Sequence, residues 1–240
     1  RDVQGRTYEQ QQEDALALAQ EVQTFTGIPL EYEATYDCIA FLPSRVHSGG
    51  SLTKYWAYGK DGLKIRGLEL RQHSTCQWIR NLQQQALQIL SNTTDLSNGL
   101  PSYSGQKMVQ NLLLDELEKL ENGMITIGDL LIAQRISREP TQGSVQSLAM
   151  LAFQRHQAHG FPLTVGSKAR FLVREKDARN PLFRVLLSEE CPDLHKTVQN
   201  IDSAYYRQQA IRAIWAILTP FGWTEHQLTE VGVVRLDQWM

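Results

Sequence analysis

Residues 53–75 read TKYWAYGKDGLKIRGLELRQHST, and this stretch constrains the fold more than any other. Two β-like runs flank Lys60-Asp61-Gly62, a turn signal of the kind that closes a hairpin. Lys54, Lys60, Lys64, Arg66, Arg71 and His73 crowd this ribbon, and Tyr55, Trp56 and Tyr58 stand among them. Only Asp61 and Glu69 oppose the charge. Lys and Arg neutralise phosphate and release counterions, so a two-stranded ribbon carrying cations and aromatics suits a phosphate backbone. A solvated hairpin, charged along its edges to block strand pairing, accounts for the same residues. The charge pattern alone leaves both readings open.

The elements around the ribbon follow from periodicity. Residues 8–26 place Ala15, Leu16, Leu18, Ala19, Val22 and Phe25 at helical spacing, and Gly27 with Pro29 predicts the stop. Residues 30–42 are rich in aromatic and branched side chains and predict a strand. Residues 78–90 predict a helix whose apolar set is Trp78, Ile79, Leu82, Ala86, Leu87, Ile89 and Leu90. Residues 91–104 are polar and turn-rich and predict a linker or hinge. Beyond it, helices are expected over 105–122, 144–158 and 203–219, with an apolar run over 125–136 and a strand over 165–173. In the first of these helices Met108, Val109, Leu112, Leu113, Leu117 and Leu120 share a face; in the last, Tyr206, Ile211, Ile214, Trp215 and Leu218 are expected inside. The expected class is α+β: a partial antiparallel sheet with helices, then a mainly helical half.

Composition sets the limits. The chain has 240 residues, 42% hydrophobic and 21% charged, enough for one large or two small domains. A net charge of −2 gives no global pull toward nucleic acid, so any such site must be a local cluster. No run has the ~18 apolar residues of a membrane helix, and no signal peptide opens the chain. Cys38, Cys76 and Cys191 are odd in number and far apart, which suits free thiols in a reducing cytoplasm. The chain opens on Arg1 and not Met, so further residues are expected before it.

The order of residues adds a resemblance. Lys54-Tyr55, a short turn, Lys64-Ile65-Arg66-Gly67-Leu68-Glu69 and then Arg71-Gln72-His73-Ser74-Thr75 resemble one segment of family B DNA polymerases. There a Lys-containing, Tyr-ending motif closes the palm, and an Arg-Gly-aliphatic-Glu strand leads toward the thumb along the primer backbone. This chain departs at Thr53, where a basic residue is usual, at Gln72, where Arg is frequent, and at Ser74, where Asp is frequent. The stretches 131–140, 165–173 and 201–222 are similar, in the same order, to the entry strand, the Gly-opened strand and the closing helix of the thumb. The resemblance implies the end of a palm over residues 1–90 and a thumb over 91–240. It implies that Lys54, Tyr55, Lys64, Arg66, Arg71, Arg135, Ser137, Arg138, Lys168 and Arg170 face primer–template double-stranded DNA. Period two also predicts that Lys168, Arg170 and Arg174 share one face of a strand. An ordinary exposed face balanced by Glu175 and Asp177 explains that row equally well.

In the family, two metal ions held by aspartates drive nucleotidyl transfer. Neither the Asp-x-x-Ser-Leu-Tyr-Pro-Ser motif nor the Tyr-Gly-Asp-Thr-Asp-Ser hairpin occurs here. No catalytic residue and no cofactor is therefore expected in this chain. Mg2+ is expected in a complete enzyme, with an upstream portion supplying exonuclease, fingers and catalytic palm. A non-catalytic DNA-binding or assembly module derived from a thumb is the alternative, and an unrelated α+β interaction domain is a third. Elsewhere, Glu13 with Asp14 and Glu116 with Glu118 read as solvated helix faces. His156 and His159 share a helix face but lack two further metal ligands at a useful spacing. Ser48-Gly49-Gly50-Ser51 is a turn without the Lys-Ser/Thr of a phosphate loop, and Trp215, Trp223 and Trp239 read as packing residues.

Overall fold

The structure is a computed structural model and describes residues 5–43, 49–95, 99–139, 147–197 and 200–230. Ser48, Pro140, residues 144–146 of the expected helix, and Trp239 lie outside the described residues. The architecture is α+β, with small antiparallel sheets among helices.

The first element, α1 (Tyr8–Thr26), starts at a capping box. The Thr7 hydroxyl accepts from Gln10 N, and the Gln10 side chain accepts from Thr7 N. It ends on Gly27 at φ 72°, the left-handed cap that the Gly-x-Pro sequence predicts. Yet no residue of α1 is buried, and Phe25 is 90% exposed. The expected apolar stripe is only partly covered: Leu16 and Ala19 share a shallow groove with Leu30, and the start of the helix meets the tip of the ribbon. There Tyr8 Oη donates to Asp61 at 2.6 Å, and Lys60 Nζ stands 4.8 Å from the Tyr8 ring.

Three antiparallel strands follow in the order β1 (Cys38–Pro43), β2 (Gly50–Gly59), β3 (Gly62–Arg66). The strand expected over residues 30–42 is shorter than its composition suggests. Residues 28–36 do not join its ladder, which Asp37 enters by donating its N–H to Tyr58 O at 2.9 Å. Gly59 explains part of this: a Cβ there would come within 2.6 Å of Thr35 O, so this segment lies against the strand's flank. The sheet turns Cys38, Ala40, Leu42 and Trp56 toward the core, where Trp56 meets the Phe221 ring at 6.1 Å.

Helices α2 (Gln77–Asn92), α3 (Tyr103–Glu121) and α6 (Ser203–Leu218) pack on one another. Of the expected linker or hinge, the described residues 91–95 and 99–104 are hydrogen-bonded to one another. They hold the short pair β4 (Thr94–Asp95) and β5 (Leu100–Pro101), and Ser102 N donates to Thr93 O at 2.9 Å. Gly105 in the first turn of α3 lies so close to Thr93 that a Cβ would fall 1.8 Å from its hydroxyl. Met108, expected on the inner face of α3, is exposed, because the helix is covered on only one side.

The apolar run 125–136 resolves into a turn of helix, α4 (Ile127–Leu130), and a strand, β6 (Ile132–Arg135). After α5 (Leu148–Ala158), β6 pairs antiparallel with β7 (Lys168–Val173), which pairs with β8 (Val185–Leu187). The short α7 (Glu225–Thr229) closes the described chain. β8 has no signature in sequence; three apolar residues are too few to show a period. Two buried polar contacts fix this half. Tyr206 Oη donates to Leu130 O and accepts from Val173 N, each at 3.0 Å. Arg155 grips Glu190 through two bonds of 2.6 and 2.7 Å and donates to Leu182 O. Burial alone would push the Glu190 carboxyl up, but the bonds from Arg155 and from Leu187 N hold it below the usual range.

A single buried cluster runs from Cys38 in β1 to Leu228 in α7. The three cysteines are free, and burial raises the Cys76 thiol to about 11. Trp223 is buried and Trp215 half-buried, with Trp215 Nε1 donating to Trp223 O at 3.0 Å. Glu116 is not simply solvated: it accepts from Trp78 Nε1 at 2.7 Å and from Lys119 Nζ at 2.6 Å.

Candidate nucleic-acid interface

The register of the ribbon decides which of its cations can act together. Residues directly opposite in an antiparallel ladder share a face. Tyr55 pairs with Phe41 on one side and Arg66 on the other, and Ala57 pairs with Lys64. Tyr55, Lys64 and Arg66 therefore stand on one face. Lys54, two residues before the buried Trp56, lies on the opposite one. Lys60 at the hairpin tip is engaged by α1, with Glu9 Oε1 3.9 Å from its amine.

Beyond β3 the chain makes a sharp exit. Gly67 sits at φ 69°, and a Cβ there would fall 2.4 Å from Thr53 O and 3.2 Å from Lys54 Cα. Only glycine combines that backbone angle with that approach. Leu68 is then fully buried, and a 3-10 turn over Glu69–Arg71 carries Arg71 outward. Tyr55, Lys64, Arg66 and Arg71 line one open groove of about 580 Å3 together with Thr53 and Gly67, and among the described residues no carboxylate shares the lining. Sequence reasoning placed all four cation or aromatic groups near one another but had no means to set Lys54 apart from them.

One carboxylate does reach the groove's rim. Lys64 donates to Glu33, which holds the Glu33 carboxyl below its ordinary range and lifts the Lys64 amine above its own. Glu33 belongs to the irregular segment before β1, and nothing in sequence pointed to it. Among the described residues Arg66 and Arg71 have no carboxylate within ion-pair range.

The second cluster lies on the β6–β7 pair. Arg135 stands opposite Lys168, and Ala133 opposite Arg170, so Arg135, Lys168 and Arg170 share a face. All three are exposed, while Ala169 and Phe171 turn inward. Arg135 also folds back, its Nε donating to Gly166 O at 3.1 Å across the turn that opens β7. Ser137 and Arg138 follow β6 as exposed residues of an irregular segment. The row expected to continue through Arg174 does not. Leu172 and Val173 are both buried, the alternation ends, and Arg174 lies over the Phe183 ring at 5.9 Å. Neither Glu175 nor Asp177 comes within ion-pair range of Lys168 or Arg170 among the described residues.

Other candidates dissolve once their surroundings are considered. His156 is buried and His159 exposed, and the two share a helix face as expected: both rings pack on Phe161, with Glu189 3.7 Å from the first and Glu190 3.4 Å from the second. Among the described residues no three His, Cys, Asp or Glu side chains gather where they could hold a metal ion. Among the described residues no carboxylate cluster fits the two-metal centre of nucleotidyl transfer. No helix among the described residues is long and apolar enough to cross a membrane.

Known proteins resemble this arrangement. A family profile described as DNA polymerase family B matches residues 2–221. The solved structure of the family B DNA polymerase from the hyperthermophilic archaeon Pyrobaculum calidifontis superposes with a TM-score of 0.57 at 16% identity. That likeness, which is one of fold, covers 85% of this chain and 24% of the archaeal chain, so the chain spans about a quarter of that relative's length. No curated protein matches. With its antiparallel ribbon, its helices and a family match that runs over residues 2–221 of 240, the chain belongs to DNA polymerase family B.

Proposed function

We propose that this chain is the part of a family B DNA polymerase that holds the primer–template duplex, with the end of the palm at residues 1–90 and the thumb at 91–240. The groove of Tyr55, Lys64, Arg66 and Arg71 supports this reading best, because three cations converge there and, among the described residues, only Glu33 at the rim pairs with one of them. Such a surface neutralises phosphates irrespective of sequence and positions a duplex without reading its bases. The row of Arg135, Lys168 and Arg170, with Ser137 and Arg138 beside it, is the second phosphate-directed surface. On this reading the template-directed transfer of nucleotides, its Mg2+ ions and their carboxylates belong to an upstream portion of the enzyme, and this chain supplies grip.

The test is a binding titration of a fluorescent primer–template duplex at several salt concentrations. Arg138→Ala together with Lys168→Ala should weaken binding and reduce the salt slope by about two, one for each phosphate no longer neutralised. A slope unchanged from the wild type would overturn the assignment.

A further inference from the structure

We infer that Gln83, inside the core, is a positioning residue that holds Arg71 at the groove by tying the ribbon's exit to α6. The inference rests on the reading of the groove as a duplex-binding surface. Gln83 occupies the apolar stripe of α2, between Leu82 and Ala86, and is 0% exposed. Both ends of its amide are engaged. Its Oε1 accepts from Leu70 N at 2.8 Å, and its Nε2 donates to Glu69 Oε2 at 2.9 Å and to Ala213 O at 2.8 Å.

These partners have distinct places in the fold. Leu70 and Glu69 belong to the 3-10 turn that carries Arg71, and Ala213 lies within α6. The first amides of a helical turn have no partner inside it, so Gln83 supplies the one that Leu70 N lacks. Leu or Met would fill the same volume without a buried amide to satisfy. What the amide adds is a fixed direction for the turn. With Leu68 buried on one side and Gly67 pressed on the Thr53 carbonyl on the other, Gln83 completes three restraints around the residue that lines the groove. Through Ala213 it also registers the ribbon against α6. The same helix reaches β7 through Tyr206, so the groove and the Arg135–Lys168 row are held in one relation.

The experiment compares wild type with Gln83→Met, which keeps the volume and removes the bonds. Amide hydrogen exchange at Leu70, Arg71 and Gln72 should accelerate on the order of tenfold or more, since the turn loses its anchor. Binding of a fluorescent primer–template duplex should lose about one unit of salt slope, the signature of one neutralised phosphate. That loss should vanish in a background already carrying Arg71→Ala. Thermal unfolding run alongside separates the alternatives. A lower melting temperature with unchanged exchange and unchanged salt slope assigns Gln83 to packing alone and overturns the inference. Faster exchange with an unchanged slope also overturns it. Should the wild type show no salt-dependent duplex binding, the reading of the groove fails, and the exchange measurement by itself decides whether Gln83 holds the Arg71 turn. If Gln83→Met does not fold, Glu69→Ala removes the partner nearer the surface and carries both measurements.

Discussion

Arg135 and Lys168 stand directly opposite one another across the β6–β7 ladder, two cations in a cross-strand position where opposite charges would add stability. A like-charged pair there costs the fold a few tenths of a kcal/mol unless an anion lies between the two side chains.

Lys168→Glu should therefore move stability and binding in opposite directions. The fold should gain about 0.5 kcal/mol from the new pair with Arg135, seen as a higher urea midpoint. Duplex binding should weaken on the order of tenfold or more at low salt, and its salt slope should fall. A variant that is both less stable and equally tight in binding would contradict the assignment.

Gly67→Ala should cost roughly 1–3 kcal/mol, because φ 69° strains an L residue and the new methyl would meet the Thr53 carbonyl at 2.4 Å. The neighbouring exposed Gly62 offers the control. It has φ 99° but nothing within 4 Å of an added Cβ, so Gly62→Ala should cost less. Urea unfolding of both variants checks the order.

Glu33→Gln should release Lys64 to the groove. Duplex affinity should rise and the salt slope steepen by about one. The pair also carries a pH signature. The Glu33 carboxyl is held low, so its contribution is present above the ordinary carboxylate range and lost as pH falls through its folded value. The Lys64 amine is held high, so its contribution is present below the ordinary amine value and lost as pH rises through the folded one. Between these limits the pair is intact, and both side chains are exposed enough for solvent to screen it. Urea midpoints of wild type and Glu33→Gln should converge as the solution is acidified; a constant difference would show that the pair contributes nothing.

Tyr206→Phe should destabilise by about 3 kcal/mol, since Leu130 O and Val173 N would be left unpaired in a fully buried site. Burial raises the Tyr206 phenol well above its ordinary 10.0. A group raised in this way supports the fold below its unfolded value and loses that support as pH climbs past it, so wild type should weaken above pH 10 more steeply than the variant. Equal alkaline slopes would remove Tyr206 from the cause.

Much of the fold was legible because its signals are local. Thr7, Ser102 and Asp202 sit at helix starts with their side chains accepting from the first turn, and Gly27 ends α1 in the left-handed conformation. The Lys60-Asp61 loop lies between the paired Gly59 and Gly62 where the sequence predicts a hairpin. The limits were equally physical. Aromatic and branched residues over 30–42 read as one long strand, but composition cannot report whether a ladder partner is within reach. Gln83 and the Arg155–Glu190 pair carried no signal, since their partners lie 13 and 35 residues away or more along the chain.

By itself the sequence did not show the short α4 and α7, but it determined roughly where the longer helices lie, where the ribbon turns, and which stretches concentrate positive charge. These follow from backbone angles, caps and periodicities that act over a few residues. Only the tertiary structure decided which charges share a face. Ladder register put Tyr55, Lys64 and Arg66 on one face and Lys54 on the other, and it set Arg135 against Lys168. A slip of one residue would have exchanged those faces, because side chains alternate with a period of two and the choice of register is made by the buried Trp56 and Phe171 against a core assembled from the whole chain.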